Sequence, residues 1–269
     1  MNQKIFIAVL AAASLQAANA AVQYTIVAPP RGTKATMEKE FEPVAQLLTR
    51  ATGKKFRFQY TSNWFKYMER VRQNESGVYF DGPGFIGWRN TKFQDSVAAR
   101  LAGHLQLVIV MKKQKAPAHF KLADLTAEPL CSFPPPNLDA LVLENGYKNS
   151  LHWPAFHPVQ SFQSALENVK SGTCKAAILP VPIIQRLGKA YGVKIVWRAA
   201  PLPNQGFSMN TDLPASVRQE IRIVLTSPKG QAATRILRAH LGGVALVPAT
   251  NQEYLPAASV MKNAWAFGF

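Results

Sequence analysis

The sequence predicts an α/β protein built as two lobes, and three observations carry that prediction. Short apolar runs suited to strands alternate along the chain with longer stretches whose apolar residues recur at helical spacing. The run Val78-Tyr79-Phe80-Asp81-Gly82-Pro83-Gly84-Phe85-Ile86-Gly87-Trp88 reads as a strand ending abruptly in a helix N-terminus, the place where α/β proteins collect ligands. A polar, proline-containing connector over 112–121 separates one set of such units from a second.

Taken in order, the chain opens with a basic residue, an apolar run over 5–15 and the triplet Ala18-Asn19-Ala20. This pattern predicts a secretory signal over 1–20, too short in its apolar part to span a bilayer. No later run approaches transmembrane length, so a soluble, exported protein is expected, with a periplasmic location. Residues 22–27 predict the first strand, and Pro29-Pro30-Arg31-Gly32-Thr33 the loop beyond it. Met37, Phe41, Val44, Leu48 and Ala51 then mark one face of a helix that Gly53 stops. Residues 56–60 predict a second strand. Thr61-Ser62-Asn63 offers caps to a helix bearing Phe65, Met68 and Val71. The 78–88 junction follows.

A continuous apolar strand is predicted over 107–111, and a short one over 130–133. Pro134-Pro135-Pro136-Asn137 leads into a helix with Leu138, Leu141 and Val142. A strand near Val159 meets Ser161, the cap of a helix with Phe162, Leu166 and Val169 that Gly172 ends. Residues 174–179 and 193–197 predict strands on either side of a helix over 182–191. A Pro-rich return over 199–204 leads to a strand over 206–210 and a helix carrying Val217, Ile221, Val224 and Leu225. Helices over 228–241 and 251–265 finish the chain. One lobe therefore comprises 21–107 with 201–269, and the other, 108–200, is inserted between those halves. Two crossings make a hinge, and the cleft between lobes is the expected place for a small ligand.

The 269 residues carry a net charge of +16, which becomes +15 if Lys4 leaves with the signal. That surplus favours anionic partners, but the basic residues are dispersed and show no nucleic-acid-binding motif. The two cysteines, Cys131 and Cys174, predict a disulfide rather than a metal site in an oxidising compartment. No metal-ligand spacing, cofactor motif or catalytic triad order stands out, so neither metal, cofactor nor enzyme activity is expected.

Four strand-to-helix junctions, at 61–63, 81–83, 134–137 and 160–163, expose backbone N–H groups and a positive dipole end. They nominate Thr61, Asn63, Asp81, Gly82, Pro83, Asn137, Ser161 and Gln163 as ligand-binding residues. Arg31 is the candidate anion clamp. Trp64, Phe85 and Phe162 are candidate apolar contacts, with Trp88 a candidate wall of the pocket. Asp81 either faces the cleft or caps the next helix.

Several phrases spread over nearly the whole chain carry a resemblance: FEPVAQLLTRATGKKFRF, the GP of VYFDGPGFIGWR, SFQSALENVKSGTCKAAIL, PNQGFSMNTDLPASVRQEIRIVLTSPKG and VPATNQEYLPAASVM. In order and spacing the chain resembles the phosphate, phosphite and phosphonate group of ABC-transporter periplasmic substrate-binding proteins. The resemblance implies the type 2 periplasmic binding protein fold, each lobe a central sheet flanked by helices, closing on a small ligand for delivery to a membrane ABC permease, as a monomer. Presentation to a sensor kinase, or a periplasmic enzyme using the same cleft, are the alternatives. Such binders usually have a Ser/Thr-rich turn at the start of the inserted lobe and a Ser-His before the next helix. This chain has Pro134-Pro135-Pro136-Asn137 and Ser161-Phe162 in their place.

Overall fold

The computed structural model describes residues 22–133, 137–147, 149–264 and 267. The predicted signal over 1–20 and the proline turn 134–136 lie outside the described residues. Strand β1 (Gln23–Val27) leads through a loop to helix α1 (Lys34–Thr52), capped by Thr33 and closed by Gly53 in the left-handed region. β2 (Lys55–Phe58) and α2 (Trp64–Gln73) follow, then β3 (Gly77–Asp81) running directly into α3 (Pro83–Phe93). β4 (Ser96–Leu101) and the two-residue β5 (His104–Leu105) come next.

The second set comprises β6 (Leu107–Lys112), β7 (Pro129–Ser132), α4 (Leu138–Gly146), β8 (Ala155–Pro158), α5 (Phe162–Ser171), β9 (Ala176–Pro180), α6 (Val181–Tyr191) and β10 (Val193–Arg198). The chain returns through β11 (Leu202–Pro203) to β12 (Gly206–Met209), α7 (Ala215–Thr226), α8 (Pro228–Ala233), α9 (Arg235–His240), β13 (Leu246–Pro248) and α10 (Asn251–Ala258). A 3-10 stretch, Ser259–Asn263, follows α10.

Six strands form one sheet in the order β13-β4-β12-β3-β1-β2, and five form another in the order β10-β6-β9-β7-β8. Between them β5 pairs antiparallel with β11, where the chain passes from one sheet to the other and back. Both sheets are covered on both faces, which explains the unbroken apolar runs of their strands. In β3, Val78 and Phe80 join the core under α1 and α7, and Tyr79 points to the opposite core with α2 and α3. In β6, Val108 and Val110 face α5 and α6, while Leu107, Ile109 and Met111 face the α4 side.

The structure differs from the sequence expectation in several places. β4 and β13 pair with each other and extend the first sheet, though neither shows a strong strand signal. The helix expected over 228–241 breaks at Thr234, whose hydroxyl bonds back to the Gly230 carbonyl at 2.8 Å. The strand expected near Val159 ends one residue earlier, at Pro158. The last helix tightens to 3-10 geometry after Ala258.

Helix α3 is buried from Pro83 to Asn90 and positions the site. Gly87 makes that burial feasible: a β-carbon there would lie 2.5 Å from the Tyr254 carbonyl oxygen and 2.6 Å from the Ala258 nitrogen. Only glycine lets α10 approach this closely.

Candidate functional site

β1 is followed by α1 on one face of the first sheet, and its neighbour β3 by α3 on the other. The two connections diverge, leaving a crevice at the carboxyl ends of β1 and β3, the position where open α/β sheets bind ligands. The loop after β1 lines one side and the Asp81-Gly82 turn the other. β12 enters at the same edge, with Gly206 in register with Asp81.

Arg31 occupies this crevice. Its guanidinium hydrogen-bonds the Gln205 side chain and stands 5.9 Å from the centre of the Phe80 ring. The side chain keeps solvent access, yet protein crowds its head. That desolvation lowers its pKa to about 10, against the pull of the Asp81 and Glu40 carboxylates. Arg31 remains a cation at neutral pH.

Asp81 is fully buried and forms an ion pair with Arg89, which also reaches Asp95 at 3.3 Å and donates to the Ser208 hydroxyl. The Arg89 guanidinium lies 3.6 Å from the centre of the Tyr79 ring. Burial pushes Asp81 up to about 6, with Arg89 and Arg31 pulling the other way. Its carboxylate does not cap α3: Gly82 is the N-cap, and no side chain caps the helix.

The other junctions are capped by their own residues. Asn63 Oδ1 accepts from the Lys66 amide at 2.9 Å, Asn137 Oδ1 from the Asp139 amide at 3.3 Å, and Ser161 Oγ from the Ser164 amide at 3.0 Å. Gln163 bonds Glu167 one turn along α5 at 3.0 Å. Phe162 packs edge-on to Phe133. Among these four junctions only α3, starting at Gly82 and Pro83, leaves its first-turn amides without a side-chain partner.

Two walls meet at α3. A β-carbon on Gly84 would lie 3.8 Å from Leu138 Cδ1, so α3 and α4 begin side by side although they follow strands of different sheets. Met261 covers the same glycine, and the Val260 carbonyl accepts from Asn145 of α4 at 3.1 Å. Trp64 stacks on Phe85, and Tyr67 meets both rings edge-on. Phe267 packs edge-on against Phe85 and Trp88.

Several polar atoms around these walls have no partner among the described residues: Thr61 Oγ1, Tyr67 Oη, Trp88 Nε1 and Asp139 Oδ2. Asp139 is 4 % exposed, and burial pushes it up to about 7, opposed only by its own backbone amide.

The structure sets Arg31 over Phe80 near Asp81, where Gly82 and Pro83 open α3, and packs Phe85 with Trp64 in the buried cluster on the α2–α3 face, while Asn137 caps α4. Ser161 and Gln163 use their polar groups within α5. Sequence reasoning missed Gln205, Arg89, Asp139 and the C-terminal Met261 and Phe267. Asp139 has the form of an ordinary first-turn acid, and nothing in its neighbours announces that it is buried.

Cys131 and Cys174 form the expected disulfide between β7 and the strand-edge before β9. His157 lies within 4.8 Å of both sulfurs, but sulfurs bonded to each other supply no thiolate to a metal. Two surface hollows of about 680 and 470 Å³ lie elsewhere, one at the C-terminal ends of α5 and α6, the other between α1 and the α7–α8 region. Among the described residues no helix is long and apolar enough to cross a membrane.

The fold is shared with solved binding proteins. PhnD1 from Prochlorococcus marinus (MIT 9301), in complex with methylphosphonate, superposes with a TM-score of 0.68 at 12% identity, covering 89% of this chain and 97% of its own. XAC2383 from Xanthomonas citri, bound to ATP, gives 0.68 at 13% identity over 90% and 99%. The binding-protein component PA3383 of a Pseudomonas aeruginosa ABC phosphonate transporter gives 0.62 at 11% identity over 88% and 85%. No curated protein matches the chain in sequence. The family model for the periplasmic substrate-binding protein of ABC phosphonate transporters matches residues 26–254, and the chain, with its two-sheet binding-protein fold, belongs to that family.

Proposed function

We propose that the protein captures a small anionic or zwitterionic solute by lobe closure and delivers it to an ABC permease, working in the periplasm as a monomer after loss of residues 1–20. The lobes are 21–107 with 201–269, and 108–200. The β5–β11 crossings serve as the hinge. The observation that carries this reading is the uncapped α3 N-terminus beside Arg31, at the diverging ends of β1 and β3. First-turn amides, a helix dipole and a fixed guanidinium together favour a negative group there.

Arg31, Gly82, Pro83 and Phe85 form the first wall in this reading, with Thr61, Asn63 and Trp64 at its margin. Asn137, Ser161, Phe162 and Gln163 belong to the facing lobe. Asp81 shapes the field of this wall from behind and touches no ligand, because Arg89 holds it. Methylphosphonate in PhnD1 and ATP in the Xanthomonas protein make phosphonates and phosphates the first ligands to try.

A thermal-shift screen over phosphate, phosphonates, sulfonates, carboxylates and amino acids tests binding, since a ligand that prefers the native state raises the melting temperature. Small-angle scattering with the best hit tests closure. An unchanged radius of gyration at saturation overturns the clamshell.

A further inference from the structure

We propose that Cys131, Cys174 and His157 form a redox-gated site for a thiophilic metal ion, closed while the disulfide stands and opened by a dithiol reductant. The site lies at the β8 edge of the second sheet, remote from β10 and from the crevice at the ends of β1 and β3. Cys131 sits in β7, in direct parallel register with His157 of the edge strand β8. Parallel neighbours in register point to the same face, so the imidazole stands beside the disulfide. Both sulfurs and a ring nitrogen of His157 lie within 4.8 Å of one another.

The two cysteines are buried and the histidine is exposed, which gives an ion an entry from solvent. Among the described residues the His157 ring makes no hydrogen bond or ion pair, so its lone pair is available to a metal. The backbone around the sulfurs is held independently of the bond between them. The Cys174 amide donates to the Asn168 carbonyl at 3.0 Å and the Lys175 amide to the Pro129 carbonyl at 2.8 Å, while Cys131 pairs with Ala177 of β9. Parting the sulfurs to the roughly 3.5–4 Å between tetrahedral metal ligands therefore calls for side-chain rotation, with the strands in place.

Two thiolates and an imidazole are a soft donor set suited to Zn2+ or Cu+, and three protein ligands leave one tetrahedral position for water. While the sulfurs are bonded to each other, neither carries the charge that a metal needs. A dithiol opens the site. One of its thiolates attacks a sulfur of the pair, its second thiol resolves the mixed disulfide, and it leaves as its own disulfide, having delivered two electrons and two protons to Cys131 and Cys174. Metal binding then expels the two thiol protons.

Titration of the mature protein with Co2+ and Zn2+ under anaerobic conditions tests this, with the disulfide intact and after reduction by a phosphine, which adds no competing thiol. The reduced protein is expected to bind a single Co2+ with thiolate-to-cobalt charge-transfer absorption, and Zn2+ to displace it. The oxidised protein is expected to show neither. His157→Ala weakens Zn2+ binding by about tenfold or more, a loss reached even when a residue that only hydrogen-bonds a metal ligand is removed. His152→Ala, at another exposed histidine, leaves the affinity unchanged. Absence of the charge-transfer band after reduction, equal binding by the oxidised protein, or an equal effect of the two histidine variants overturns the proposal. If reduction alone unfolds the chain, Zn2+ is expected to restore the native near-ultraviolet circular dichroism, and failure to do so overturns the proposal as well.

Discussion

Arg89 Nη1 lies 2.8 Å from Asp81 Oδ2, and neither side chain reaches solvent. The pair joins the end of β3 to the middle of α3, and the same guanidinium holds Asp95 ahead of β4 and Ser208 in β12. Arg89→Met strands two buried carboxylates and is expected to cost about 3–5 kcal/mol. The double variant Asp81→Asn/Arg89→Met recovers part of that loss, because one uncompensated charge has gone. Urea denaturation of the four corners of the cycle measures the coupling.

Asp139 makes stability fall as pH rises. Its folded pKa of about 7 lies above its ordinary 3.8, so between those values the native state holds a proton that the unfolded chain has released. Stability from this group is full below about pH 4 and lost as pH climbs through about 7, by at most about 4 kcal/mol. Asp81, raised to about 6, acts in the same direction over the lower part of that window. Asp139→Asn is expected to flatten the dependence and to melt higher than wild type at pH 8, checked by thermal melts from pH 4.5 to 8 without ligand.

Arg31→Ala separates binding from folding. The side chain is solvent-accessible, so its removal is expected to change stability by no more than about 0.5 kcal/mol. Affinity for an anionic or zwitterionic ligand falls by roughly 10- to 100-fold, the range for a charge-assisted hydrogen bond. Calorimetry beside a denaturation curve reads both quantities.

Gly87→Val tests the α3–α10 approach. Its added β-carbon would meet main-chain atoms of α10 at 2.5 and 2.6 Å, which no side-chain rotamer relieves. A loss of about 1–3 kcal/mol is expected, with faster amide exchange concentrated in α10.

Reduction of the Cys131–Cys174 bond opens a loop of 43 residues. On the loop-entropy model this costs about 4 kcal/mol. The paired Cys131→Ala/Cys174→Ala variant is expected to unfold at correspondingly lower denaturant, with the first sheet's core unaffected in hydrogen exchange.

The regular elements were legible because their local chemistry agrees with their tertiary role. Thr33 and Gly53 bracket α1, Ser161 and Gly172 bracket α5, and Gly82-Pro83 opens α3. β4 was less legible because Ser96 and Arg100 interrupt its apolar residues. The site divides in the same way. Caps such as Asn63 and Asn137 can be read from local order, since capping is a local interaction. The Arg31–Gln205 bond spans 174 positions and the Arg89–Ser208 bond 119, and no periodicity within either segment encodes such a meeting. Burial of Asp139 is of the same kind: it depends on what α4 packs against.

Gln205 stands between β11, which crosses between the sheets, and β12, which lies beside β3. The cation at the mouth of the crevice is therefore moored to the strand that returns from the far sheet. In the proposed solute-binding reading, a solute that competes with Gln205 for Arg31 releases the cation from the returning strand in the same event. Gln205→Ala removes that mooring, and in the proposed reading it frees Arg31 to move independently of the returning strand.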